Sequence, residues 1–127
     1  MTMPNERTRA LRWGRELLEL LAEEQALNPT IREQARSILL AYPQPGQLEE
    51  LVAEGALSIP ADSAVALQQA GMLFLRLDRD DGCSDQLLRD RLFTMRHFPD
   101  EEAIGRWSRA VPGHQLSDWL RPEDSYK

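Results

Sequence analysis

The sequence predicts an all-α protein of about six helices, built as two related three-helix halves in one compact domain. Apolar residues recur at spacings of three and four along most of the 127 residues, which is the period of a helix with one buried face. Between these runs lie capping Asn, Ser or Asp residues, prolines and glycines, which are typical of helix ends. With 42% hydrophobic residues, a chain of this length can bury a core without a disulfide or a structural metal.

Start and stop signals divide the first half into three helices. Asn28 caps the second helix, and the proline that follows it suits a first turn. Pro43 ends this helix, because the residue before a proline is disfavoured in the helical conformation. Gly55 closes the third helix. The predicted bounds are residues 5–24 (with Asn5 as the cap), 28–42 and 45–55.

The fourth helix is predicted from the junction at residues 58–62 to about Leu77. Its stretch at residues 70–75 is apolar nearly all round, which is typical of a helix that is buried on more than one side. A short apolar run is also compatible with a strand. We therefore expect a buried helix and keep a strand at Met72–Leu77 as the alternative.

The remaining chain predicts two more helices and a last turn. Ser84 caps the fifth helix, which ends at Phe98-Pro99, and acidic residues from Asp100 onward suit the positive end of the sixth. Val111-Pro112-Gly113 breaks the sixth helix. A final turn is predicted over 116–120.

The second half repeats the plan of the first when the sequence is shifted by 56 residues. Asn28 then aligns with Ser84 as a helix cap, and Tyr42-Pro43 aligns with Phe98-Pro99 as a helix stop. The match predicts an internal duplication, with halves at 1–57 and 58–110 followed by a C-terminal segment at 111–127. The alternative is that the two halves align by coincidence, because any two series of amphipathic helices can be shifted into register.

Three short motifs in the first half carry a resemblance to a known family. They are Met3-Pro4-Asn5-Glu6-Arg7-Thr8-Arg9-Ala10, Ile31-Arg32-Glu33-x-Ala35-Arg36 and Leu40-Ala41-Tyr42-Pro43. With them, the first 55 residues or so resemble a family of small, uncharacterised proteobacterial proteins. That family usually has His before the Tyr, where this chain has Ala41; its own His97-Phe98-Pro99 is closer to the family's ending. The resemblance implies a helical fold and transfers no catalytic residue.

Charge and cysteine content limit the classes of function. The 21 acidic and 15 basic residues give a net charge of −6, which argues against a dedicated nucleic-acid-binding module. A single cysteine cannot form an internal disulfide, so a reducing compartment is expected. No segment reaches the about 20 apolar residues of a membrane span, and the start lacks the apolar stretch of a signal peptide. We expect a cytoplasmic protein that does not bind membranes.

No motif predicts catalysis, a metal or a cofactor. In the acidic string at residues 78–85, Gly82 is the fifth residue and Arg89 the twelfth, whereas a calcium loop needs Gly at the sixth and Glu at the twelfth. The acids around Cys83 disfavour a reactive thiolate. His97 and His114 lack the spacing of metal ligands, and His97 suits a helix C-terminus. We therefore predict a non-enzyme.

Two features are candidate partner-binding elements. The first is the basic cluster of Arg7, Arg9, Arg12 and Arg15, which opposes the macrodipole at the start of the first helix. It fits an acidic protein surface or a nucleic acid, unless Glu16 and Glu19 simply neutralise it. The second is Trp119, which either folds back onto the core or serves as an aromatic anchor for a partner.

These features predict a protein-interaction or regulatory protein without catalytic activity. Its partner is an unidentified protein, or a second copy bound through the fourth helix, where Met72 and Leu75 exceed the needs of one core face. The alternative is a nucleic-acid-associated regulator that uses the Arg7–Arg15 face.

Overall fold

The computed structural model describes residues 2–109, 111 and 115–123. Within these residues the chain forms six α-helices, two short 3-10 turns and no strand, which confirms the predicted all-α class. Pro112-Gly113 and His114 lie outside the described residues. The helices are α1 (Pro4–Glu23), α2 (Pro29–Leu39), α3 (Gln47–Ala53), α4 (Ala61–Arg76), α5 (Asp85–His97) and α6 (Glu101–Trp107); the 3-10 turns are Arg79–Asp81 and Leu116–Asp118.

Helix α1 starts earlier than predicted, and Asn5 as its cap is wrong. Met3 is the N-cap residue, and its backbone N–H donates to the Glu6 carboxylate over 2.8 Å. Pro4 fills the first helical position, where its fixed φ fits and its missing N–H costs nothing. The predicted caps of α2 and α5 are confirmed: Asn28 Oδ1 accepts from a backbone N–H over 2.9 Å, and Ser84 Oγ accepts from another over 3.1 Å.

Helix α4 is helical through Arg76, so the strand alternative is wrong. The prediction that it is buried on more than one side is also wrong, because Met72 is 61% exposed and Leu75 is 71% exposed. At about 100° per residue, both side chains lie outside the face that buries Leu73 and Phe74. Helix α4 therefore has more apolar residues than its contact with the core buries.

The two long helices α1 and α4 contribute more buried residues to the core than the other helices do. Helix α1 packs along α2 and α5, while α4 packs on α2, α5 and α6. The reciprocal contacts of α1 with α5 and of α4 with α2 are what an internal duplication would give. Helix α6 packs on α4 without a comparable contact of α3 on α1. The duplication stays a prediction.

Aromatic side chains that follow α2 and α5 meet on Gly14 of α1. Tyr42 is buried, and its hydroxyl donates to the Leu11 carbonyl over 2.6 Å. Phe98 is buried beside it and meets Phe74 of α4 edge to face, with 5.7 Å between ring centroids. A Cβ at position 14 would lie 2.5 Å from Tyr42 Oη and 2.9 Å from Phe98 Cε2. Glycine is needed at this position because both rings occupy the space of a side chain.

Replacing Gly14 by Ala is expected to destabilise the protein by about 1–3 kcal/mol, because the methyl group overpacks this contact. In an open helix the same change stabilises by roughly 0.5–1 kcal/mol. Gly105→Ala in α6 is the matched control, since an added Cβ there meets only a flexible Arg109 Nη2 at 4.0 Å. Urea unfolding measures both variants. Equal effects on the unfolding free energy would contradict the assigned contact.

Truncating either ring is expected to be costly. Tyr42→Ala and Phe98→Ala should each lower the free energy of unfolding by about 3–5 kcal/mol, because each leaves a cavity in the core. Leu40→Ala is the control; Leu40 is 89% exposed and should change stability by no more than about 0.5 kcal/mol. Thermal and denaturant unfolding of the three variants checks the ranking, and ring variants as stable as the control would refute it.

Candidate partner-binding surfaces

The four arginines at the start of α1 do not form one surface. At about 100° per residue, positions 7, 9, 12 and 15 spread over an arc of roughly 200° around the helix. Each guanidinium group also interacts within the chain. The four side chains therefore point in different directions around α1, and those of Arg7, Arg12 and Arg15 contact other parts of the chain.

Arg7 and Trp119, both of which were predicted to bind a partner, are in contact with each other. Arg7 Nη1 donates to the Trp119 carbonyl over 3.3 Å, and its Cζ lies 5.2 Å from the centre of the indole ring. The ring of Trp119 also packs 6.3 Å from that of Trp107. Leu116 and Leu120 on either side are buried. Trp119 thus folds back onto the core, which is one of the two predicted placements.

Arg12 and Arg15 attach α1 to other parts of the chain. Arg12 pairs with Glu123 through two hydrogen bonds of 2.8 and 2.9 Å, and this contact raises the pKa of its guanidinium. Arg15 donates to the carbonyls of Tyr42 and Pro43 over 3.1 and 3.4 Å. These contacts explain both positions without an external partner.

The predicted neutralisation of the basic cluster by acids of the same helix takes place. Arg12 pairs with Glu16 at 2.9 Å, and Arg15 with Glu19 at 3.6 Å. Arg9 lies 3.9 Å from the carboxylate of Glu6, and its Cζ is 5.2 Å from the Trp13 ring centre. That these arginines also contact a partner stays a prediction.

A cleft of about 370 Å³ lies between α1 and the connection from α2 to α3. Its floor includes Leu11, Tyr42 and Leu48, and the Arg12–Glu123 pair borders one side. Burial raises the pKa of the Tyr42 hydroxyl far above its usual value, so the hydroxyl stays protonated and serves as a donor to the Leu11 carbonyl. The cleft therefore joins apolar side chains to charged ones, of which Arg12, Arg15, Glu16, Glu19 and Glu123 are already paired within the chain.

The acidic string after α4 is a capped turn. Asp78 Oδ1 accepts from the backbone N–H groups of Asp80 and Asp81 over 2.8 and 3.3 Å. Gly82 has φ +93°, and a Cβ there would lie 2.1 Å from the Ala26 carbonyl oxygen, so the turn needs glycine for two reasons. Within the described residues, no group of three or more His, Cys, Asp or Glu side chains is arranged to hold a metal ion.

Cys83 and His97 both have structural surroundings. Cys83 is buried, and burial, with Asp81 nearby, raises the pKa of its thiol. His97 is the last residue of α5, as the sequence predicted for it near a helix C-terminus. Its Nε2 lies 3.1 Å from Glu6 Oε2, and its Nδ1 lies 3.1 Å from Thr2 Oγ1. This link between the start of α1 and the end of α5 has no local sequence signal.

The solvent side of α4 presents three apolar side chains in a row. Val65 is 49% exposed, Met72 61% and Leu75 71%, and at about 100° per residue they fall within an arc of roughly 80°. The only charged residues of α4 are Asp62 in its first turn and Arg76 in its last. Neither forms an ion pair within the described part of the chain. We call this surface the α4 face.

A second partly apolar surface lies between α1 and α5. It is a groove of about 260 Å³ lined by Trp13, Leu20 and Phe93, with Glu16 and Asp90 at its edges. Its walls come from two helices that already pack on each other. Glu16 is paired with Arg12, and Asp90 accepts a hydrogen bond from Gln86. In the described residues, Glu16 and Asp90 of this groove thus have side-chain partners, whereas Asp62 and Arg76 of α4 pair with no other side chain.

Comparison of this chain with protein-family models, curated proteins and solved structures finds no match. The resemblance of the first half to a proteobacterial family stays a prediction. In addition, no helix in the described ranges is both long and apolar enough to cross a membrane.

The contacts of Glu6 predict a loss of stability in acid. The Met3 backbone hydrogen bond, assisted by His97 and Arg9, lowers the pKa of Glu6 below its ordinary value of 4.5. A carboxylate with a lowered folded-state pKa stabilises the fold fully above its unfolded-state value, and this stabilisation is lost as the pH falls through the folded-state value. Urea unfolding from about pH 6 to about pH 3 should therefore show a shallower acid decline for Glu6→Gln than for wild type. Parallel curves over the whole range would contradict this role.

Proposed function

We propose that this chain is a small, non-catalytic protein-interaction module that binds its partner through the α4 face. The observation that supports this proposal is the row formed by Val65, Met72 and Leu75, whose side chains are 49% to 71% exposed. Single exposed apolar residues are ordinary, but an aligned set on one helix is typical of helix-to-helix recognition. Burial of these apolar side chains against a partner would supply the free energy for association.

The chemistry of the remaining groups supports a binding role. Cys83 is buried next to an acid, and the two ring nitrogens of His97 contact Thr2 and Glu6. In the described residues no hydrogen-bonded base contacts the Cys83 thiol, and the contacts of His97 with Thr2 and Glu6 join the start of α1 to the end of α5, so we assign neither residue a catalytic role. A single buried thiol also suits the cytoplasm, which is the compartment we propose.

A protein partner is favoured over nucleic acid by the geometry of the arginines. Nucleic-acid binding needs a continuous basic surface that follows the phosphates. The guanidinium groups of Arg7, Arg12 and Arg15 instead spread around α1 and bond to Trp119, Glu123 and the chain after α2. The Arg7–Arg15 face is thus the less well supported site.

Polar substitutions on the α4 face are expected to remove partner binding without unfolding the protein. Met72→Gln and Leu75→Gln should leave the free energy of unfolding within about 0.5 kcal/mol of wild type, because both side chains are exposed. Leu20→Gln is the matched control, since Leu20 is 50% exposed and lies on α1 in the α1–α5 groove. Quantitative crosslinking in the native host compares the proteins bound to each variant. Identical partner sets for the α4 variants and wild type would refute the proposed surface.

A further inference from the structure

We propose that the partner of the α4 face is a second copy of this chain, joined through an antiparallel pair of α4 helices. This inference rests on the function proposed above and adds the identity and orientation of the partner. Three properties of α4 support it: the position of its two charges, the register of its apolar residues, and its uncharged middle.

The charges of α4 are complementary to themselves only when two copies run in opposite directions. Asp62 and Arg76 are both exposed and lie about 21 Å apart along the helix, at about 1.5 Å per residue. In an antiparallel pair, Asp62 of each copy approaches Arg76 of the other. A parallel pair would place like charges together and would also align the two helix dipoles unfavourably.

The apolar row fits the same register. Asp62 and Arg76 are equally distant in sequence from Gln69, so a twofold axis that matches the charges passes near this residue. Val65 of one copy then lies at the level of residue 73 of the other, within one residue of Met72. Beside Met72, α4 and α2 form a groove of about 220 Å³, lined in part by Ile38, that faces the position of the other copy's Val65.

The centre of the face has no charge that would oppose a second copy. Gln69 is exposed, and its side chain amide both donates and accepts hydrogen bonds, so two such amides can pair across the axis. The result is a closed, isologous contact in which the same residues serve both copies. A single helix pair is small for an interface, which predicts weak association that depends on concentration.

Charge reversal tests the orientation directly. Sedimentation equilibrium between about 1 μM and about 1 mM should show dimers of the wild type. D62R and R76D should each dimerise about tenfold more weakly or worse, because each variant alone places like charges at both ends of the antiparallel pair. An equimolar mixture of the two should recover association, since a D62R chain paired with an R76D chain has opposite charges at both ends.

The controls separate this inference from the function on which it rests. Circular dichroism establishes that both variants are folded, and D62R/R76D in one chain should dimerise like wild type. A wild type that stays monomeric, or single variants that associate as well as wild type with no gain on mixing, would overturn the antiparallel pair. If the wild type is monomeric but Leu75→Gln still loses a host protein, the interaction module stands with another partner. If neither effect occurs, both proposals fall.

Discussion

The contact of Tyr42 and Phe98 with Gly14 is the constraint on which the rest of the fold depends. It brings the segments that follow α2 and α5 onto the middle of α1, where a missing side chain makes room for two rings. Protein interiors are close-packed, so rings that fill this space leave little freedom for the helices that carry them. Arg15, the next residue of α1, adds hydrogen bonds to the carbonyls of Tyr42 and Pro43. Two adjacent residues of α1 thus fix the end of α2.

The same contact determines which side of α4 remains for a partner. Phe98 lies against Phe74 at its edge, and a Cβ on Gly71 would lie 3.5 Å from the Phe98 ring, in ordinary van der Waals contact. With this side of α4 directed at the core, the helical period turns Met72 and Leu75 to the solvent. The proposed binding surface is therefore a consequence of core packing together with an apolar sequence that exceeds what the core needs.

Local patterns in the sequence predicted the local parts of this structure well. The caps Asn28 and Ser84 act through backbone groups two or three residues away, so the sequence contains the whole interaction. The cap of α1 was misplaced because Asn5 was preferred by residue type, whereas the Glu6 side chain satisfies the backbone N–H of Met3. The sequence left open whether Met72 and Leu75 are covered within the chain or exposed to a second copy, because composition shows how apolar a helix is but not how many neighbours cover it.

Long-range contacts of the candidate sites could not be predicted from one sequence. The Arg12–Glu123 and Glu6–His97 pairs join residues that are far apart in the sequence, and nothing in their local surroundings selects the partner. Trp119 was left open between two placements for the same reason, since a short apolar segment suits either the core or a partner. These contacts follow from the packing of whole helices and therefore require the fold.

The contact at Gly14 can be tested in a protein from which the obstructing ring atoms have been removed. Gly14→Ala is measured in a background that carries Tyr42→Phe and Phe98→Leu, which removes the hydroxyl and ring atoms that an added Cβ would meet. The penalty of Gly14→Ala is expected to disappear there, and the change should be neutral or stabilise the protein by up to about 1 kcal/mol, as Gly to Ala does within an ordinary helix. A penalty in this background as large as that in the wild-type protein would show that the two rings do not exclude a side chain at position 14.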